Sequence, residues 1–236
     1  MLGGLARRFV NLAHLAFGGS CYLCRGVADG VLCAQCDAEL PRLEGALCPR
    51  CALPSPAGET CGQCLAQPPA YDATVAALAY EFPCDVLVQG LKFRGELALA
   101  PLLGGLLAAR LPRDARADFI LPVPLAAARL RVRGFNQSLE IARAVAAATG
   151  CRLAPLAAER GRDTPAQLDL PLAERARNVR GAFRCAAPFA GAEVALVDDV
   201  MTTGATLAEL AATLKRAGAA RVVNWVVART APHAHA

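Results

Sequence analysis

Eight of the chain's eleven cysteines fall between residues 21 and 64, arranged as four C-x-x-C pairs: Cys21/Cys24, Cys33/Cys36, Cys48/Cys51 and Cys61/Cys64. Eight residues separate the first two pairs and nine the second two, so the segment is a near repeat. A stretch this short cannot bury enough apolar surface to fold on its side chains alone. Each C-x-x-C turn presents two thiolates to one face, and two turns complete a tetrahedral site, so two zinc ions are implied. Neighbouring pairs are expected to combine in sequence order, with an interleaved cross-brace as the alternative. Disulfides and iron are the rival uses. A disulfide framework needs an oxidising compartment, and a redox C-x-x-C usually occurs once on its scaffold.

The rest of the 236 residues, 55% of the chain being hydrophobic and 19% charged, leaves room for one ordinary domain beside this small module. The composition is that of a soluble globular protein, and no run of about twenty apolar residues offers a membrane span. Asn11 and His14 interrupt the apolar part of the opening segment, so residues 1–19 read as a short N-terminal helix rather than an export signal, and the expected compartment is cytoplasmic. Cys84, Cys151 and Cys185 stand alone among apolar residues and read as small buried hydrophobes. The three histidines are His14, His233 and His235. A Ser-His-Asp triad, a Cys-His pair or an H-E-x-x-H helix would need one inside a folded domain. The G-x-x-x-x-G-K-[ST] and G-x-G-x-x-G fingerprints are also absent.

The double zinc ribbon is placed at residues 20–66, a linker at 67–70, a second domain at 71–230 and a tail at 231–236. In the second domain the patterning predicts strands at 74–80, 119–123, 193–197 and 221–227. It predicts helices at 85–93, 97–110, 137–149 and 206–217. Such alternation specifies an α/β fold with a doubly wound, mainly parallel sheet. Residues 1–70 hold five arginines and five acids, so the net charge of +5 belongs to the second domain. Residues 129–184 carry eleven arginines against five acids, where an anionic partner would be met.

The most informative stretch is V-D-D-V-M-T-T-G-A-T, residues 197–206. An apolar strand ends in Asp198 and Asp199, and a turn leads into a helix. Ligands of open parallel sheets bind beyond the carboxyl ends of strands, which places both acids in the crevice. The turn aims backbone N–H groups and the hydroxyls of Thr202, Thr203 and Thr206 at one point, where the helix dipole favours a phosphate. Gly204 lets the backbone approach it. Two carboxylates beside a phosphate need another role, and sugar hydroxyls or magnesium supply it. The plainer reading is a helix cap formed by Asp199 or Thr203.

This stretch is similar to the 5-phosphoribosyl-1-pyrophosphate (PRPP) loop of type I phosphoribosyltransferases. The four knuckles, L-K-F-R-G at 91–95, P-V-P at 122–124, R-G-F-N-Q at 133–137, T-P-A-Q at 164–167 and N-V-R-G-A-F at 178–183 resemble the ComF family, which includes the GntX branch linked to gluconate use. That resemblance implies a double zinc ribbon joined to a type I phosphoribosyltransferase-like domain, with a connection to competence and DNA uptake. It implies ribose contacts for Asp198 and Asp199, and a 5-phosphate cradle formed by Thr202, Thr203, Gly204, Ala205 and Thr206. Residues 124–136 take the place of the pyrophosphate loop, with Arg133 and Gly134 as its candidates, and residues 160–180 that of the flap. Magnesium would accompany PRPP. Two roles follow: a transferase that displaces pyrophosphate by positioning and electrostatics, or a protein that handles single-stranded DNA, alongside competence proteins, with PRPP as ligand. Few aromatics limit base stacking, but phosphate contacts suffice for strand binding.

Overall fold

The computed structural model describes residues 19–161 and 179–231. The expected N-terminal helix up to residue 18, most of the flap segment including the T-P-A-Q block, and the tail from residue 232 lie outside the described residues. In chain order the elements are α1 (Ala34–Ala38), α2 (Gly62–Ala66), β1 (Ala73–Ala79), α3 (Cys84–Arg94), α4 (Leu99–Arg110), β2 (Phe119–Pro122), α5 (Ala127–Arg133) and α6 (Gln137–Thr149). They continue with β3 (Arg152–Leu153), β4 (Ala158–Arg160), β5 (Phe183–Cys185), β6 (Glu193–Met201), α7 (Ala205–Arg216) and β7 (Arg221–Arg229). Five strands form a wholly parallel sheet in the order β1-β7-β6-β2-β3, and β4 pairs antiparallel with β5 beside it.

The central strands are apolar at successive positions because both faces are covered. Ala195 and Val197 of β6, with Val223, Trp225 and Val227 of β7, pack under α3, α4 and α6. Val194 and Leu196, with Val222 and Val226, pack under Leu207, Leu210, Ala211 and Leu214 of α7. Helix α4 approaches α6 so closely that a Cβ on Gly104 would lie 2.6 Å from the Cβ of Ala144.

The cysteine ribbon straddles the sheet. Residues of its first half, Tyr22, Val31 and Leu40, join the core under α3 and α4, whereas Cys48, Cys51, Leu53 and Cys64 join the core under α7. Between the halves the chain runs along the open edge of β1: Ala79 N–H donates to the Pro41 carbonyl at 2.7 Å and Leu43 N–H to the Ala77 carbonyl at 3.1 Å. This pairing removes an unprotected strand edge.

The cysteines combine in sequence order, Cys21, Cys24, Cys33 and Cys36 in one set and Cys48, Cys51, Cys61 and Cys64 in the other. Within each set the sulfurs all lie within 4.8 Å of one another. Four sulfurs about 2.3 Å from one zinc stand about 3.8 Å apart, and the Cys24–Cys33 and Cys51–Cys61 separations of 3.7 and 3.6 Å match that tetrahedral edge. All are free thiols, so the disulfide alternative is not adopted. Burial disfavours the thiolates; backbone N–H donors outweigh it at Cys21, held down to about 6, and Cys48, held to about 7, while burial and the neighbouring thiols push Cys36 and Cys64 up. Of the isolated cysteines, Cys84 is fully buried, while Cys151 and Cys185 are only half-buried at the core margins.

Because the second cysteine set is built into the core under α7 while Cys24 of the first is exposed, the two sites should differ in their reach. Cys51→Ser is expected to cost about 3 kcal/mol or more and to lower the melting temperature of the whole fold by roughly 10 °C. Cys24→Ser should move it by only a few degrees. Near-ultraviolet circular dichroism of Trp225, the sole tryptophan, reads both; equal shifts would contradict the asymmetry.

Candidate functional site

The acid pair stands at the carboxyl end of the sheet, inside the C-terminal end of β6. The apolar pattern predicts that the strand stops at residue 197, yet it continues to Met201, because Asp198 stays in register with Val226 and Met201 with Arg229 of β7. Strand β2 ends earlier, at Pro122 opposite Val197. The acids therefore overhang a cavity of about 260 Å³ floored by the turn from Met201 to Gly204. Lys92, Phe93, Arg129, Arg133, Gln137, Ser138 and Arg160 supply its other walls.

Successive strand residues point to opposite faces, so the two acids have different surroundings. Asp199 is buried, and Lys92 Nζ from the last turn of α3 lies 2.8 Å from its Oδ2, an ion contact that draws a lysine out of water. Burial opposes the lysine's charge, but the two carboxylates overcome it and raise its affinity for the proton. Asp198 keeps part of its side chain open to the cavity. Its Oδ1 accepts from Ser138 Oγ at 2.9 Å and from the Asp199 N–H at 3.0 Å. Desolvation and the charge of Asp199 nevertheless push its carboxyl up to about 7, against the pull of Lys92 and Ser138.

Ser138 reaches the acid because of a local motif. Asn136 caps α6, its Oδ1 accepting from the Ser138 N–H at 3.0 Å, while its Nδ2 donates to the Val123 carbonyl at 3.1 Å and ties the helix start to the end of β2. Arg133 belongs to α5, a seven-residue helix that the sequence patterning does not indicate. Its guanidinium lies 5.5 Å from the centre of the Phe93 ring and donates to Gln137 Oε1 at 2.5 Å, inside the cavity. Gly134 closes α5 in a left-handed conformation and is not part of the cavity wall.

Helix α7 starts without a side-chain cap from its N-cap residue, Gly204. Thr203 Oγ1 accepts from the Ala205 N–H at 3.3 Å, while Asp199, the other candidate cap, turns toward Lys92. Gly204 has φ +78°, and a Cβ there would lie 2.7 Å from Met201 Cε and 2.9 Å from the Tyr71 hydroxyl. The glycine is thus required from below the turn, by Met201 and Tyr71, whatever occupies the cavity. Thr202, Thr203, Gly204, Ala205 and Thr206 all line the cavity, as do both acids. Lys92 and Ser138 are site residues that sequence reasoning does not single out. Lys92 lies within the 91–95 block and is one of only two lysines in the chain, and that rarity is the available signal.

Comparison with known proteins agrees with this architecture. Residues 12–65 match the double zinc ribbon domain family. The DNA utilization protein YhgH of Salmonella typhi is 37% identical over 228 residues, spanning 92% of this chain and 99% of that protein. Competence protein F of Haemophilus influenzae is 30% identical over 227 residues, spanning 90% and 98%. The chain belongs to the ComF family. Its Escherichia coli K12 relative, also named DNA utilization protein YhgH, is 35% identical over 226 residues. Among solved structures, the allosteric regulatory enzyme of purine biosynthesis is 24% identical over 54% of this ComF-family chain and 25% of that one, with a TM-score of 0.38. TT1426 from Thermus thermophilus is 22% identical over 58% and 85%, with a TM-score of 0.35. At these scores the likeness is partial. No helix among the described residues of the ComF-family chain is long and apolar enough to cross a membrane.

Since folding raises the proton affinity of Asp198 above its ordinary value of 3.8 to about 7, the folded chain binds that proton more tightly than the unfolded chain. Stability is therefore lost as pH rises between those values. Asp198→Asn retains an acceptor oxygen and carries no charge, so it should be more stable than wild type above pH 7, on the order of 1–3 kcal/mol. Below about pH 4 the difference should vanish. Urea unfolding across this range checks it, and a pH-independent difference would refute the assignment.

Proposed function

We propose that this protein binds PRPP, with magnesium, in the cavity between the acid pair and the 202–206 turn, and that the bound sugar phosphate serves the handling of single-stranded DNA during uptake or utilisation. One observation carries the ligand reading: a carboxylate open to the cavity and the glycine-started N-terminus of α7, with Thr202, Thr203 and Thr206, line the same space. Asp198 would accept from the ribose hydroxyls, with Asp199 paired to Lys92 beside it. The hydroxyls of Thr202, Thr203 and Thr206 and the N–H groups of the turn would hold the 5-phosphate. Arg133 and Arg129, on the opposite wall, would meet the pyrophosphate. Magnesium would lower the charge of that pyrophosphate, with Asp198 as the carboxylate able to hold it.

The DNA role comes from the relatives, whose names refer to DNA utilization and competence, and competence proteins are the corresponding partners. It is also supported by a second cavity, about 420 Å³, lined by Lys92, Phe93, Gly95, Ala128, Arg129, Val132, Arg133 and Phe135. Arg129 and Arg133 are the cations it offers, Lys92 being paired with Asp199, and Phe93 is 63% exposed. A nucleotide fits that chemistry, its base on the aromatic ring and its phosphate on the arginines. Thiolate metal sites suit a reducing cytoplasm. The competing reading is an active phosphoribosyltransferase of small-molecule metabolism, in salvage or gluconate use. Pyrophosphate release from PRPP with a small acceptor, unaffected by DNA, would favour it.

Calorimetry with PRPP and magnesium tests the ligand. Wild type should bind, and Asp198→Asn with Asp199→Asn should weaken binding on the order of a hundredfold or more, since each charge-assisted hydrogen bond is worth about 1.5–3 kcal/mol. No binding by wild type, or undiminished binding by a folded double variant, rejects the site.

For the strand, fluorescence anisotropy with an oligothymidylate should show an affinity that falls steeply with salt. Phe93→Ala should lower it roughly five- to a hundredfold at fixed salt, as expected for one lost stacking platform. Unchanged affinity in a folded variant would remove Phe93 from the interface.

A further inference from the structure

The second cysteine set and the phosphate turn share a buried side chain. Arg229 ends β7, opposite Met201 of β6, and only 6% of it is exposed. Its Nε donates to the carbonyl of Cys51, one of the metal-site cysteines, at 2.8 Å. Its Nη1 donates to the Met201 carbonyl at 2.9 Å and also to the carbonyl of Thr202. One rigid planar cation therefore gathers the backbone of a metal-site residue and the backbone that opens the 202–206 turn.

A second contact runs in parallel. Tyr71 is 3% exposed and packs in one apolar cluster with Cys48, Cys51, Cys64 and Met201. Its hydroxyl lies beneath Gly204, 2.9 Å from the position a Cβ would take. Arg50, which lies within the C-x-x-C turn of Cys48 and Cys51, donates to the Tyr71 carbonyl at 3.1 Å. The first cysteine set has a different anchorage: Cys21 and Cys36 form a small separate cluster with Ala28, and the neighbouring Tyr22 meets α3 by accepting from Arg94 Nη2 at 2.6 Å.

We infer that Arg229 is a positioning residue that makes the shape of the 202–206 turn depend on the second zinc ribbon, so that metal at Cys48, Cys51, Cys61 and Cys64 and sugar phosphate at the turn favour each other's binding. The inference rests on the reading of that turn as a phosphate cradle. The four sulfurs of the second set have the spacing of one tetrahedral metal. Losing that metal frees the Cys51 turn, and with it one of the acceptors that orient the guanidinium. Linkage makes the effect reciprocal: a ligand that orders the turn must raise the affinity for that metal by the same free energy.

The full zinc-loaded chain is challenged with a metallochromic chelator, with and without PRPP and magnesium, while alkylation of freed thiols reports which set has emptied. At equilibrium, PRPP should raise the chelator concentration that half-empties the second set about tenfold, within the usual range of such couplings, and leave that of the first set unchanged. Arg229→Met should abolish the protection, and Arg229→Lys, with the charge but not the fork, should restore only part of it. In parallel, hydrogen exchange across residues 201–206 is followed in wild type as zinc is withdrawn, an arm that needs no sugar phosphate and no variant. Exchange there should rise when the second set empties and not when the first does. Equal protection of both zinc ions by PRPP, or unchanged exchange after loss of the second, overturns the coupling. If calorimetry finds no PRPP binding, the phosphate reading fails and the exchange arm alone decides whether ribbon and turn are linked.

Discussion

Two adjacent carboxylates at the end of one strand cannot both stay ionised in a partly buried site without a counter-charge, and the Lys92–Asp199 contact supplies it. Everything around the cavity is arranged to bring that lysine there. Lys92 sits in the last turn of α3, whose apolar side, Leu87, Val88 and Leu91, is fixed in the core above β6 and β7. Removing one member of a buried pair is more damaging than the pair itself is stabilising, because the survivor keeps its desolvation cost without its partner. The division of labour between the acids follows from this. Asp199 is paired within the protein, and Asp198, raised in proton affinity by burial and by its neighbour, is the one left open to the cavity.

The two ribbon halves brace opposite walls of the same cavity. The first presses Tyr22 against α3, so closely that a Cβ on Gly90 would lie 2.4 Å from the tyrosine oxygen, and thereby steadies the helix that carries Lys92. The second lies under the 201–204 turn through Tyr71 and Arg229. Between them, residues 41–43 pair with the edge strand β1. The metal sites thus do more than hold a small segment together. They abut two supports of the cavity, α3 and the 201–204 turn.

Some of this was legible in the residues. The four C-x-x-C pairs specified two sets of thiolates because four soft ligands at that spacing have few other uses. The predicted helix over 137–149 coincides with α6, closed by Gly150, because its apolar period, Asn136 cap and glycine stop agree with one another. The acid pair and the threonine turn were recognisable because strand, charge, hydroxyls and glycine must follow in that order to build a crevice at a strand end. Less local features were not visible. Helix α5 has no buried face to give it a period, and β6 runs on past its apolar stretch because cross-strand hydrogen bonding to β7, unlike side-chain burial, is indifferent to the aspartates.

The sequence by itself determined which residues could bind metal and where an acid pair would lead into a turn rich in hydroxyls, since both depend on groups a few positions apart on one local element. Only the tertiary structure decided which charges meet. Lys92 reaches Asp199 from a helix more than a hundred residues earlier, Ser138 reaches Asp198 from another, and Arg229 joins Cys51 to Thr202. Contacts across such separations are set by how the sheet orders its strands and by which face each helix covers, and no local pattern of residues encodes them.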